Sequence, residues 1–129
     1  MLLDSSALIA FINPEDTHNS IACQKIGSSH SIYIHEVSLA ESLVRAQATD
    51  TVPHVLHVIK SLRATVVSSS GIQGAIRIAS IRHRTGLALP DCYVIDASRE
   101  NESTIFSFDS KLNNAAQALG LATVFSQGD

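Results

Sequence analysis

Short apolar runs alternating with helical stretches constrain this chain more than any other feature. Met1 to Leu3, Ser31 to His35, Ala64 to Ser68, Ser103 to Phe108 and Leu121 to Phe125 are brief and apolar or β-branched, as strands are. Between them, apolar residues recur at helical spacing, for example Ile21, Ala22 and Ile26, or Val55, Val58, Ile59 and Leu62. Such alternation predicts one α/β domain over residues 1–129 with a mostly parallel sheet and right-handed crossovers. The apolar share of 45% suits a sheet buried on both faces.

Local signals refine the helices. Asp16 or Thr17 can cap the helix that Gly27 ends, and Ser38 with Glu41 three residues on matches a capping box. In the long helix opened by Gly71, Ile72, Ala75, Ile76, Ala79 and Ser80 share a face. Its last turn, Arg82-His83-Arg84, complements the helix dipole before Gly86. The tail from Ser126 to Asp129 is expected to fray.

Composition removes several classes. A net charge of −3 argues against binding nucleic acid by bulk positive charge. Cys23 and Cys92 form no Cys-x-x-Cys pair, so neither a zinc site nor a disulfide framework is indicated, and a reducing cytoplasm is expected. The start lacks the basic region of a signal peptide, and no apolar run approaches the roughly 18 residues of a membrane span.

Four acids recur at the starts of elements. Asp4 follows the first strand, Glu41 lies in the first turn of the helix after strand two, Asp91 opens the helix at Leu89-Pro90, and Asp109 follows Phe108. In an open parallel sheet these places lie at the carboxyl edge, where ligands bind. Singly, each has an ordinary reading as a cap or first-turn acid. Together they point to a divalent metal, because converging carboxylates repel unless cations neutralise them. Oxygen-only ligands suit Mg²⁺ or Mn²⁺ rather than zinc. Asp96 lies five residues past Asp91, about 140° round a helix, and is expected to face solvent or a partner instead.

On Leu2-Leu-Asp-Ser-Ser-Ala-Leu, Ser38-Leu-Ala-Glu-Ser, Leu89-Pro-Asp-Cys-Tyr-Val-Ile and Ile105-Phe-Ser-Phe-Asp-Ser-Lys-Leu, the chain resembles PIN-domain proteins, and within them VapC-type toxin ribonucleases of toxin–antitoxin pairs. The resemblance implies a three-layer α/β/α domain with a five-stranded parallel sheet in the order 3-2-1-4-5. It implies hydrolysis of single-stranded RNA with Mg²⁺ or Mn²⁺ held by Asp4, Glu41, Asp91 and Asp109 as catalytic quartet, with Ser6 and Ser107 orienting carboxylates. It also implies a cognate antitoxin and a homodimer. Arg77, Arg82, Arg84 and Lys111, with His83 and Arg45, are the candidates for guiding RNA.

Other readings are weaker. A haloacid-dehalogenase-like phosphatase wants an acid where Ser6 stands, and a receiver domain wants an acidic pair at strand one. The non-enzyme alternative is a PIN-like RNA- or protein-binding module with little or no nuclease activity. His54 and His57 are one turn apart but lack further ligands, and Tyr33, Phe11, Phe106 and Phe108 read as core, with no exposed aromatic stripe to stack bases.

Overall fold

The computed structural model describes residues 1–125; the tail expected to fray lies outside the described residues. The elements, in order, are β1 (Leu2–Leu3), α1 (Ser5–Ile12), α2 (Asn19–Gly27), β2 (Tyr33–His35), α3 (Glu36–Thr49), α4 (Val52–Ser61), β3 (Thr65–Val67), α5 (Gly71–Thr85), α6 (Leu89–Asn101), β4 (Ile105–Phe106) and α7 (Ser110–Ala118).

The strands form a parallel sheet in the order β3-β2-β1-β4. Leu2 pairs with Tyr33 and Ile105, and Leu3 with Ile34 and Phe106. Because side chains alternate across a strand, this register splits the core in two. Leu2 and Ile105 face Ile78, Ile81, Ile95 and Leu112, which belong to α5, α6 and α7. Leu3, Ile34 and Phe106 face Ala7, Leu8, Ala22 and Ile26, with Val58 and Ile59 beside them, which belong to α1, α2 and α4. The expected three layers are present.

The expected fifth strand is not. Among the described residues a single parallel bridge, Ile105 to Thr123, stands in its place. The Gln117 side-chain amide donates to Thr123 Oγ1 and to the Phe125 carbonyl, each at 2.8 Å, and so holds this segment against α7.

Two helix starts also differ from expectation. His18, not Asp16 or Thr17, precedes α2. α3 begins at Glu36, with His35 as its cap, because His35 Nδ1 accepts from the Val37 N–H at 3.0 Å. Ser38 is therefore inside the helix, fully buried, with its hydroxyl unpartnered, and the capping box with Glu41 does not form.

The α5 face that carries Ile72, Ala75, Ile76, Ala79 and Ser80 points outward. Ile72 is 79% exposed and Ile76 56%, whereas Gly74, Ile78 and Ile81 are buried.

Candidate active site

Asp4 is set by the geometry of a strand end. β1 is two residues long, and the Asp4 N–H still donates to the Phe106 carbonyl of β4. The residue then caps α1, and Oδ1 accepts from the Ala7 N–H at 3.0 Å. Its side chain is buried, yet both oxygens are used. Ser6 donates to Oδ1 at 2.7 Å and Ser107 to Oδ2 at 2.6 Å, lengths typical of hydroxyls on a carboxylate.

Each serine also accepts a backbone hydrogen bond. The Phe108 N–H donates to Ser6 Oγ at 3.0 Å and the Asp109 N–H to Ser107 Oγ at 2.9 Å. Two relays therefore run from the main chain after β4, through a hydroxyl, onto Asp4. They tie the first acid to the segment that carries the last. Asp109 caps α7 by accepting from the Lys111 and Leu112 N–H groups. Asn113, one turn further on, donates to the Ser107 carbonyl at 2.9 Å.

The electrostatics bring in the other two acids. Asp91 is pushed up to about 6 by partial burial and by the negative charges of Asp109, Asp4 and Glu41, with Lys111 opposing. Burial also raises Asp4, against the hydrogen bonds from Ser107, Ser6 and Ala7, and Asp109 adds to the rise. Glu41 is raised by partial burial and by Asp4, with Ser5 opposing. Acids from α1, α3, α6 and α7 thus share one field. Among the described residues, however, no three His, Cys, Asp or Glu side chains stand close enough together to hold a metal ion as they are. The donor chemistry fits a hard divalent cation, since all four candidate donors are carboxylates. Their mutual repulsion is what such a cation would relieve.

A family profile described as PIN domain matches residues 1–118. The chain belongs to the PIN-domain family. No curated protein sequence matches it significantly. Among solved structures, this PIN domain is similar to VapC20 of Mycobacterium tuberculosis, described as a sarcin-ricin loop cleaving toxin, with 14% identity and TM-score 0.74 over 97% of this chain and 98% of that one. It is similar to a chain of a toxin–antitoxin complex from Klebsiella pneumoniae, with 17% identity and TM-score 0.73 over 85% and 87% of the two chains. FitAcB from Neisseria gonorrhoeae follows with 16% identity and TM-score 0.61 over 97% and 96%. At such identities the likeness is one of fold.

Other candidate residues are placed differently from expectation. Asp96 faces neither solvent nor a partner; it is 1% exposed. Its Oδ1 accepts from Arg77 Nε at 2.8 Å and its Oδ2 from Ser69 at 2.6 Å. Burial alone would raise this carboxyl, but the bonds from Arg77 and Ser69 and the guanidinium charge hold it below its ordinary value. Arg77 also pairs with Glu100 at 2.8 Å, so its charge is engaged within the PIN domain rather than offered to a ligand. Arg82 donates to the Gly86 and Leu87 carbonyls and closes the end of α5. Arg84 and Lys111 remain exposed.

His35 completes this second network. Its Nδ1 accepts from Val37, so the neutral ring carries its hydrogen on Nε2, which lies 3.1 Å from Ser69 Oγ. β2, the loop before α5, α5 and α6 are joined through it. No spacing or motif signals this network, because its members lie far apart along the chain. Asn113 and His18, the latter stacked on Phe108, were likewise invisible as site residues.

Proposed function

We propose that this PIN domain is an endoribonuclease that hydrolyses phosphodiester bonds in single-stranded or loop RNA, acting as the toxin of a toxin–antitoxin pair. Asp4, Glu41, Asp91 and Asp109 would hold Mg²⁺ or Mn²⁺. The observation that supports this most is Asp4 itself. A buried carboxylate with both oxygens held by hydroxyls, inside the field of three more acids, is costly to build for structure alone. When bound, the metal would supply an acidified water and offset charge on the reacting phosphate. Ser6 and Ser107 fix the direction of Asp4, and Asn113 fixes Ser107 through its carbonyl. Lys111, in the first turn of α7, and Arg84 are exposed cations that would meet the RNA backbone, with Arg45 and His83 also exposed.

The partner reading has support of its own. A groove of about 390 Å³ between α1, α3 and α4 is lined by Ile9, Ile12, Ala46 and Val55, with Arg45 and His54 among its polar groups. It reaches Ser42, the neighbour of Glu41, so an antitoxin helix with apolar and acidic residues would sit close to the acids. The exposed Ile72 and Ile76 offer a surface for a second copy of the chain.

The test is cleavage of RNA by the purified protein with Mg²⁺ or Mn²⁺, with the 5′ ends mapped, beside Asp4→Asn. Cleavage lost by at least about a hundredfold in the variant is expected, on the scale of losing a group that acts in the transition state. Undiminished cleavage by Asp4→Asn would remove the assignment. Binding of RNA without cleavage, and no thermal shift with either metal, would favour the binding module instead.

A further inference from the structure

Next in sequence to Asp109, Phe108 carries one of a pair of stacked rings that the mechanism above does not use. His18, the residue preceding α2, lays its imidazole on Phe108 with ring centroids 4.2 Å apart and planes 10° apart. Phe108 lies between Ser107 and Asp109. Its backbone is pinned to Ser6 Oγ, the hydroxyl that also holds Asp4. The ring is therefore in fixed register with two of the four acids. Phe106 and Phe125 back it at centroid distances of 5.2 and 5.4 Å, so it is half-buried and braced. His18 itself stays exposed, and its side chain makes no capping hydrogen bond to α2.

Two accounts of the pair are possible on physical grounds. His18 could shield Phe108 from water, which any apolar side chain would do as well. Alternatively, the ring is used for its flat face. A planar, exposed ring seated on a braced aromatic is the surface on which unpaired nucleobases stack. The position favours the second account: Phe108 lies between Ser107, which holds Asp4, and Asp109, so a single strand whose phosphate sits at those acids runs along the segment that carries the platform. The imidazole nitrogens add donor and acceptor capacity that leucine or alanine would lack.

We propose that His18, backed by Phe108, is the stacking platform for the nucleobase next to the cleaved bond of a single-stranded RNA. This rests on the ribonuclease reading above.

The probe is a single-stranded oligoribonucleotide spanning a cleavage site mapped with the native protein, with versions that carry an abasic ribose on either side of the cut. His18→Ala and His18→Leu should raise KM about fivefold or more, the lower end of base-stacking effects, with the loss falling on KM rather than kcat. His18→Phe should recover most of that loss. An abasic ribose on one side should raise KM in the native protein and have no further effect in His18→Leu, since the two changes remove the same contact. Thermal unfolding of each variant separates a folding defect from a lost contact. A native KM in His18→Leu would overturn the proposal, as would an abasic penalty that persists undiminished in that variant. If Asp4→Asn abolishes cleavage while His18→Leu does not change it, the ribonuclease reading stands and the platform falls. If the native protein cuts no RNA, both fall.

Discussion

Ser107 is fully buried and serves three groups at once. It donates to Asp4, accepts from the Asp109 N–H, and its carbonyl accepts from Asn113. Ser107→Ala strips Asp4 Oδ2 of its hydroxyl donor and leaves the partly buried Asp109 N–H without its acceptor. We expect a stability loss of about 1–3 kcal/mol by denaturant unfolding, the cost of unsatisfied buried polar groups, together with weakened RNA cleavage. Unchanged stability would show that water replaces the hydroxyl. At this scale the sequence was largely legible. Acids and small hydroxyls at strand ends stand out because strand–helix junctions punctuate the chain. Asn113 did not stand out, because its task depends on a carbonyl six residues away in a turn that no spacing rule describes.

Elements were legible in kind but less so in facing. On α5, hydrophobicity alone selects Ile72, Ala75 and Ile76 as the inner face. The helix instead turns Gly74 inward, because only a residue without Cβ lets it approach so closely: a Cβ at Gly74 would meet the Ser69 backbone at 2.7 Å. A glycine adds nothing to an apolar count, so the contact that sets the helix is silent in the sequence. Gly74→Ala should destabilise the protein by about 1–3 kcal/mol, as overpacking does, seen as a lower Tm. It should also disturb Ser69, and through it the bonds of Asp96 and His35. The same lesson holds for α3. Ser38 and Glu41 have the spacing of a capping box, but a histidine ring reached the helix end one turn earlier.

For the whole molecule, the gathered acids couple stability to pH. A carboxyl whose pKa is higher folded than unfolded favours the native state at low pH. For Asp91 that contribution is fully present below its ordinary 3.8 and is lost as pH rises through about 6. The metal-free protein should therefore gain stability in Asp91→Asn at pH 7, on the order of 1 kcal/mol once solvent screening of this half-buried group is allowed for. RNA cleavage by the same variant should be lost. A metal ligand must shed its proton, so Mn²⁺ should raise the Tm of the native protein more at pH 7 than at pH 5. A thermal shift that is the same at both values would separate metal binding from Asp91. The parallel α/β plan was readable from alternation and its three layers from the family resemblance, whereas the number of strands was not. The last apolar run has strand-like residues, but among the described residues it pairs with β4 through a single bridge at Thr123.

The hydrogen bond between Ser107 and Asp4 joins residues 103 positions apart. Contacts so distant in sequence form late, since the intervening chain must be made and folded first. A ribosome delivers Asp4 103 residues before Ser107. Until then Asp4 lacks one of its two clamps and the acid of α7 altogether. On the ribonuclease reading, the site should therefore stay incomplete until Ser107 and Asp109 have both been made and folded. Ribosome-bound chains stalled with residues up to 100 exposed should show no Mn²⁺-dependent RNA cleavage, and chains with all 129 exposed should regain it. Cleavage by the shorter chain would show that the early acids suffice.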